Sequence, residues 1–305
     1  MRSRFFPFCV RFLLFTCGSA FVLSLPSQTQ AGTCCVWRIT NVNHPFYLVG
    51  TIHALAGSDY PLPKGYDEAL RNSQRLVFEI TPDRKSDFPD KFAIAATYPK
   101  GDDIRHHVHA KTWEFLAKNF KESEYFGHMW QFGNHHIEGV EQLKPFAIAF
   151  YIWGIHGYND IFNEHGVDNH LAFQGRRTGK ELAGLETTEE HINVLSGMSD
   201  IESELILLDA LVRGDKRRED FNQLRAAWKK GDTATMWQLH QRERKLNPGG
   251  DARLLDMRNV KWIPKIKAEI NTGKPTAIVA GAGHFMGYNG VITLLEHQGY
   301  KIEQL

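Results

Sequence analysis

Apolar positions follow two rhythms along this chain. The unbroken runs Phe46-Tyr47-Leu48-Val49, Leu76-Val77-Phe78-Glu79-Ile80 and Ala277-Ile278-Val279-Ala280 have the length and the β-rich composition of strands buried on both faces of a sheet. Val36 to Thr40 is a further β-rich run, and Asn41 to Pro45 turns it back on Phe46 as a hairpin. A short helix ends near Asn72. Between the third strand and the last the rhythm becomes helical: 111–120, 145–155, 167–173, 188–195 and 201–212 are predicted helices, with amphipathic stretches to about residue 270. Glu181 to Glu186 interrupts them as another strand, and Thr187 stands where it caps the helix that follows. Strand 276–280, a helix over 290–298 and a last strand over 300–304 close the chain. The prediction is an α/β fold: a central mostly parallel or mixed sheet, completed by the C-terminal strands, with a large helical middle region.

The N-terminus changes the picture of where this domain begins. Met1-Arg2-Ser3-Arg4 is basic, Phe12 to Leu25 is largely apolar, and Pro26 to Ala31 ends on a small residue. That order describes a secretory signal peptide over residues 1–31, and its apolar part is short of the roughly 20 residues of a membrane span. An uncleaved anchor is the alternative. Cys17 follows Thr16 rather than a smaller residue, so a lipid anchor is not expected. The expectation is a secreted or periplasmic protein, residues 32–305 forming one domain and having no membrane association after cleavage. The formal charge of +1 falls to −2 when Arg2, Arg4 and Arg11 leave with the leader, which gives no electrostatic case for a nucleic-acid partner. Of four cysteines only Cys34 and Cys35 remain, and neighbours cannot make a disulfide framework.

Candidate chemistry lies at strand ends. Gly50-Thr51-Ile52-His53 and Gly281-Ala282-Gly283-His284 each follow a predicted strand, and ligands of α/β sheets bind outside the carboxyl ends of the strands. Glu79 ends a third apolar strand. A carboxylate there costs several kcal/mol unless it is paired, hydrogen-bonded or metal-bound, although a side chain turned to solvent or capping a helix would avoid the cost. Two imidazoles and a carboxylate suit Zn, Mn or Co with open coordination positions; they suit metal-free acid–base catalysis equally. If His53, Glu79 and His284 share one site, their side chains approach within roughly 10 Å, given ligand bonds of about 2.0 to 2.2 Å. Asp168, Glu186 and Arg258 form a second tier, each explained as simply by structure. His106, His107 and His109, and the pair His135-His136, lack a coherent spacing with acids and are not expected in the site. No Gly-x-Ser-x-Gly elbow, HExxH helix or phosphate loop occurs.

The ordered series Tyr47 to His53, Val77-Phe78-Glu79, Gly166-Val167-Asp168, Gly184-Leu185-Glu186-Thr187, Arg258-Asn259 and Gly281 to Gly287 with Gly290-Val291 resembles the TraB/GumN family over nearly the whole mature sequence. That family belongs with the Tiki proteases and, more distantly, with ChaN-like haem-binding proteins and erythromycin esterases. The resemblance implies an α/β fold with a helical middle and an active-site core at His53, Glu79 and His284. Its Tiki branch implies a divalent-metal-dependent peptidase. His191 departs from the pattern, standing where the family frequently carries glutamine, and the chain has no C-terminal membrane region. The expectation is an exported metal-dependent hydrolase acting on a peptide or small-molecule substrate. His53, Glu79 and His284 would hold the metal, Glu186 or Asp168 would serve as further ligand or base, and Arg258 would belong to the catalytic set. A non-enzymatic haem- or ligand-binding protein and a metal-independent esterase remain as alternatives.

Overall fold

The computed structural model describes residues 34–83, 87–120, 130–132, 135–137, 139–157 and 165–305; the expected leader over residues 1–31 lies outside them. The apolar runs are strands, as their composition requires. β1 (Val36–Ile39), β2 (Phe46–Thr51), β3 (Arg75–Ile80), β6 (Glu181–Glu186), β7 (Thr276–Gly281) and β8 (Ile302–Gln304) form one sheet, and β4 (Trp130–Phe132) pairs separately with β5 (His135–Ile137). Across the large sheet the order is β6-β3-β7-β2-β1-β8. The first four are parallel, and β1 and β8 run antiparallel at the other side, so the sheet is mixed and completed by the C-terminus.

The helices are α1 (Lys64–Asn72), α2 (Phe88–Ala96), α3 (Ala110–Phe120), α4 (Pro145–Gly157), α5 (Val167–Arg177), α6 (Thr188–Ser196), α7 (Asp200–Lys229), α8 (Thr233–Leu246), α9 (Pro248–Leu254), α10 (Asp256–Asn271) and α11 (Val291–Glu296). Thr187 and Ser199 start α6 and α7 with capping boxes closed by Glu190 and Glu202. The hydrophobic pattern under-reads α7, which runs 30 residues where 201–212 was the clear stretch. Its polar C-terminal half, beyond Val212, remains helical and buries Ala227 and Trp228 against the sheet core. α2 escapes sequence reading because Pro89 stands in its first turn, where proline is tolerated.

Two apolar cores result. One wraps the sheet with Phe46, Leu48, Tyr66, Trp228, Trp262 and Ile278. The other lies among α2, α4 and the first half of α7, around Phe146, Ile148, Leu207 and Leu116. Among the described residues no helix is long and apolar enough to cross a membrane. Functionally the decisive step is the return of β7 between β2 and β3, because it sets the last strand of the sequence pattern beside the first.

Candidate active site

Parallel pairing puts the strand exits in one row. Gly50 lies opposite Ala280 and Thr51 opposite Gly281, so the two Gly-x-x-His segments leave the sheet side by side with an offset of one residue. Gly50 eases this approach: a Cβ there would stand 3.2 Å from Ala282 Cα and 3.1 Å from the Cys35 carbonyl, so the neighbouring backbone would have to give by a few tenths of an ångström. On the other side of β7, Phe78 faces Val279 and Ile80 faces Glu186 of β6, which brings Glu79 and Glu186 to the same edge.

The three first-tier side chains meet around Gly281. A Cβ on that residue would lie 3.5 Å from both Glu79 Oε1 and His53 Nε2 and 3.8 Å from His284 Cδ2. Its backbone angles of −50° and 134° are open to any residue, so the glycine supplies room rather than a conformation. Three polar side chains converge beside it.

Those side chains live in different environments. His53 is 67% exposed. Its Nδ1 sits 2.9 Å from Asp168 Oδ2, and Asp168 is itself held by the Thr51 hydroxyl at 2.8 Å, so the carboxylate fixes the ring with Nε2 turned to the crevice. The Asp168 charge raises the His53 pKa above its ordinary value. His284 is only 4% exposed in its side chain. Asn259 donates its amide to the Asn289 carbonyl at 2.8 Å, which leaves Asn259 Oδ1 as acceptor for the His284 Nδ1–H at 2.6 Å. The Nε2 lone pair then accepts from Arg258 Nη1 at 3.1 Å. Burial drives the His284 pKa down to about 3, so its ring is neutral.

Arg258 organises the centre. Its guanidinium carries five N–H donors. Nε gives to Glu186 Oε1, Nη2 to Glu186 Oε2 and to Glu79 Oε2 at 2.6 Å, and Nη1 to the Leu254 carbonyl and to His284. All five are spent. Burial opposes ionisation of Glu79, but the Arg258 and His53 charges and the Gly281 N–H at 2.8 Å outweigh it and hold its pKa well below the usual range. Glu186 is ionised for a similar reason. Burial would raise it, and His191, Arg258 and Trp262 hold it at about 2.

Sequence reading placed Asp168, Glu186 and Arg258 in the second tier; Asp168 touches His53, Arg258 touches Glu79 and His284, and Glu186 joins them through Arg258. It missed His191, Asn259 and Trp262. His191 Nδ1 lies 3.2 Å from Glu186 Oε2 at the start of α6. Trp262 packs against the His284 ring, centroids 4.3 Å apart and planes tilted by 35°, and donates to Glu186, while the Arg258 guanidinium lies 4.8 Å over its face. The available signal was the spacing 258, 259, 262, one face of a helix. His106 and His107 do find acids, contrary to their unpromising spacing: both contact Asp102, and His107 also contacts Asp200 at the start of α7. They lie among the helical connections, away from the strand exits. The side chains of His135 and His136 lie outside the described residues.

Residues 35–304 match the TraB/PrgY/gumN family model. The chain belongs to that family. No curated protein and no solved structure gave a match.

A divalent metal fits this TraB/PrgY/gumN site poorly. A catalytic zinc takes three protein ligands. Here both ring nitrogens of His284 are committed, to Asn259 and Arg258, which leaves His53 Nε2 and one lone pair of Glu79 Oε1. Among the described residues no group of three His, Cys, Asp or Glu side chains is disposed to hold a metal ion.

Proposed function

We propose that this family member is a hydrolase in which the Asp168–His53 pair activates water without a metal. The observation that carries the reading is the convergence of an exposed, carboxylate-oriented imidazole nitrogen and a buried carboxylate oxygen beside Gly281, each 3.5 Å from where a Cβ on that glycine would stand, close enough for one water to reach both. Neutral His53 takes a proton from water through Nε2 while Glu79 Oε1 accepts the second O–H and aims the oxygen. The oxygen bonds to an ester or amide carbonyl carbon, the bond to the leaving alcohol or amine breaks, and protonated His53 returns the proton to that group. Asp168 keeps the Nδ1–H tautomer and stabilises the imidazolium, as the carboxylate does in other acid–base pairs. Arg258, with no free donor, acts as a positioning residue that keeps Glu79 ionised and His284 in place.

Export belongs to the same proposal: N-terminal sequencing of the protein recovered outside the cytoplasm would begin after Ala31. Activity is tested with ester and peptide libraries, with and without chelator. The expected result is chelator-insensitive turnover that falls about 10²- to 10⁴-fold in His53→Ala. It should fall comparably in Gly281→Val, whose side chain would stand against both His53 Nε2 and Glu79 Oε1. Absence of turnover across both libraries overturns the reading.

One observation favours a second reading. His53 and His284 each have Nδ1 held by an oxygen acceptor, the arrangement usual for metal-bound histidine. Chelator-abolished turnover restored by Zn, Mn or Co, with metal content lost in His53→Ala, would establish that reading and sink the first. A Soret band on haem titration, lost in the same variant, would instead support the binding-protein alternative.

A further inference from the structure

Behind the Arg258 network, α6 and α10 leave a cavity of about 100 Å³. At about 30 Å³ per water it holds some three waters, or one carboxylate or phosphate group. Its inner wall is Glu186, Arg258 and Trp262, the groups that position Glu79 and His284. Its outer wall carries Arg253, Lys261 and Lys265, with Met257 and Glu190 between them.

What separates this cavity from an ordinary basic helix face is which hydrogen-bonding capacity is still unused. The carboxylates are engaged: Glu186 takes Arg258, Trp262 and His191, and Glu190 Oε2 takes the Thr187 N–H at 2.9 Å and lies 3.6 Å from Lys265. Arg258 is spent within the network. Of the rim donors, Lys265 is held by the Leu185 carbonyl, but Arg253 Nε is buried without a hydrogen-bond partner and has Glu202 only at 4.0 Å, and the exposed Lys261 makes no hydrogen bond or ion pair among the described residues. A cavity whose unspent polar groups are cationic donors selects an acceptor-rich anion, and Met257 beside them offers an apolar surface to whatever carries it.

We propose that this cavity is an oxyanion site that takes one carboxylate or phosphate group, and it is testable without any turnover. Because Arg258 Nη2 is 2.6 Å from Glu79 Oε2, an anion against Arg258 lies one guanidinium away from the reacting carboxylate.

The test is isothermal titration of the mature chain with inorganic phosphate and, separately, with propionate, ionic strength being held constant with chloride. Wild type is expected to bind one equivalent saturably. Lys261→Glu and Arg253→Ala should each weaken binding at least tenfold, and Lys261→Glu should leave the melting temperature unchanged because Lys261 is exposed and unpaired. Propionate binding more tightly than phosphate identifies a carboxylate as the guest; the reverse order overturns that assignment in favour of a phosphate group. Binding absent in wild type, or equal in wild type and Lys261→Glu, overturns the subsite. A chain that binds anions normally but hydrolyses nothing would fail the hydrolase reading alone.

Discussion

His53 and His284 close the same four-residue pattern on neighbouring parallel strands, and the fold gives them opposite chemistry. His53 emerges 67% exposed, oriented by one carboxylate, with Nε2 free. His284 turns inward to 4% exposure, and both its nitrogens are committed. The pattern specifies where a backbone leaves the sheet. What the imidazole can do there is decided by the element that covers it: α10 lies over the second exit and supplies Arg258, Asn259 and Trp262, whereas the His53 ring is held by Asp168 at the start of α5.

The largest expected effect comes from destroying the buried half of this contrast. Arg258→Met leaves Glu79 and Glu186 buried without their counter-charge, and removing one partner of a buried ion pair costs about 3–5 kcal/mol. Urea unfolding should show it; a loss under about 1 kcal/mol would mean that the carboxylates are hydrated and the network is not what fixes His284. The next comparison sets the two histidines directly against each other. His284→Ala orphans Asn259 Oδ1 and an Arg258 N–H, a loss of about 1–3 kcal/mol, whereas His53→Ala at its exposed position should stay within about 0.5 kcal/mol while abolishing turnover. Equal stability losses in the two variants would erase the distinction between a structural and a reactive imidazole.

Much of this was legible beforehand, and the failures have physical causes. Strand runs such as Phe46 to Val49 are read from composition because a sheet buried on both faces needs uninterrupted apolar residues, and their exits locate His53, Glu79 and His284. Which strand neighbours which is not written in any run; the insertion of β7 between β2 and β3 is a tertiary choice. Nor does a sequence show that Arg258 spends all five donors internally. On a long amphipathic helix a buried arginine and the exposed Lys261 differ only by the side they face, and that side depends on how α10 docks against β6 and β7.

The smallest effect is the dependence on pH, and here the two histidines bend stability in opposite directions. Asp168 raises the folded pKa of His53, so the folded chain holds that proton more tightly than the unfolded chain. Its stabilising contribution is complete below the unfolded value of about 6.5 and fades as pH climbs through the higher folded value. Burial lowers the folded pKa of His284 to about 3. Between there and about 6.5 the unfolded chain binds the extra proton, so this residue costs stability as pH falls below neutrality. Proton NMR of the ring resonances separates the two. His53 should titrate with a midpoint above about 6.5 that moves back toward it in Asp168→Asn, and His284 should not titrate between pH 5 and 9. Turnover should rise with pH along the His53 curve, because only its neutral form can take a proton from water. A His53 midpoint at or below 6.5 with Asp168 intact would show that the pair does not form, and would remove the base on which the hydrolytic reading depends.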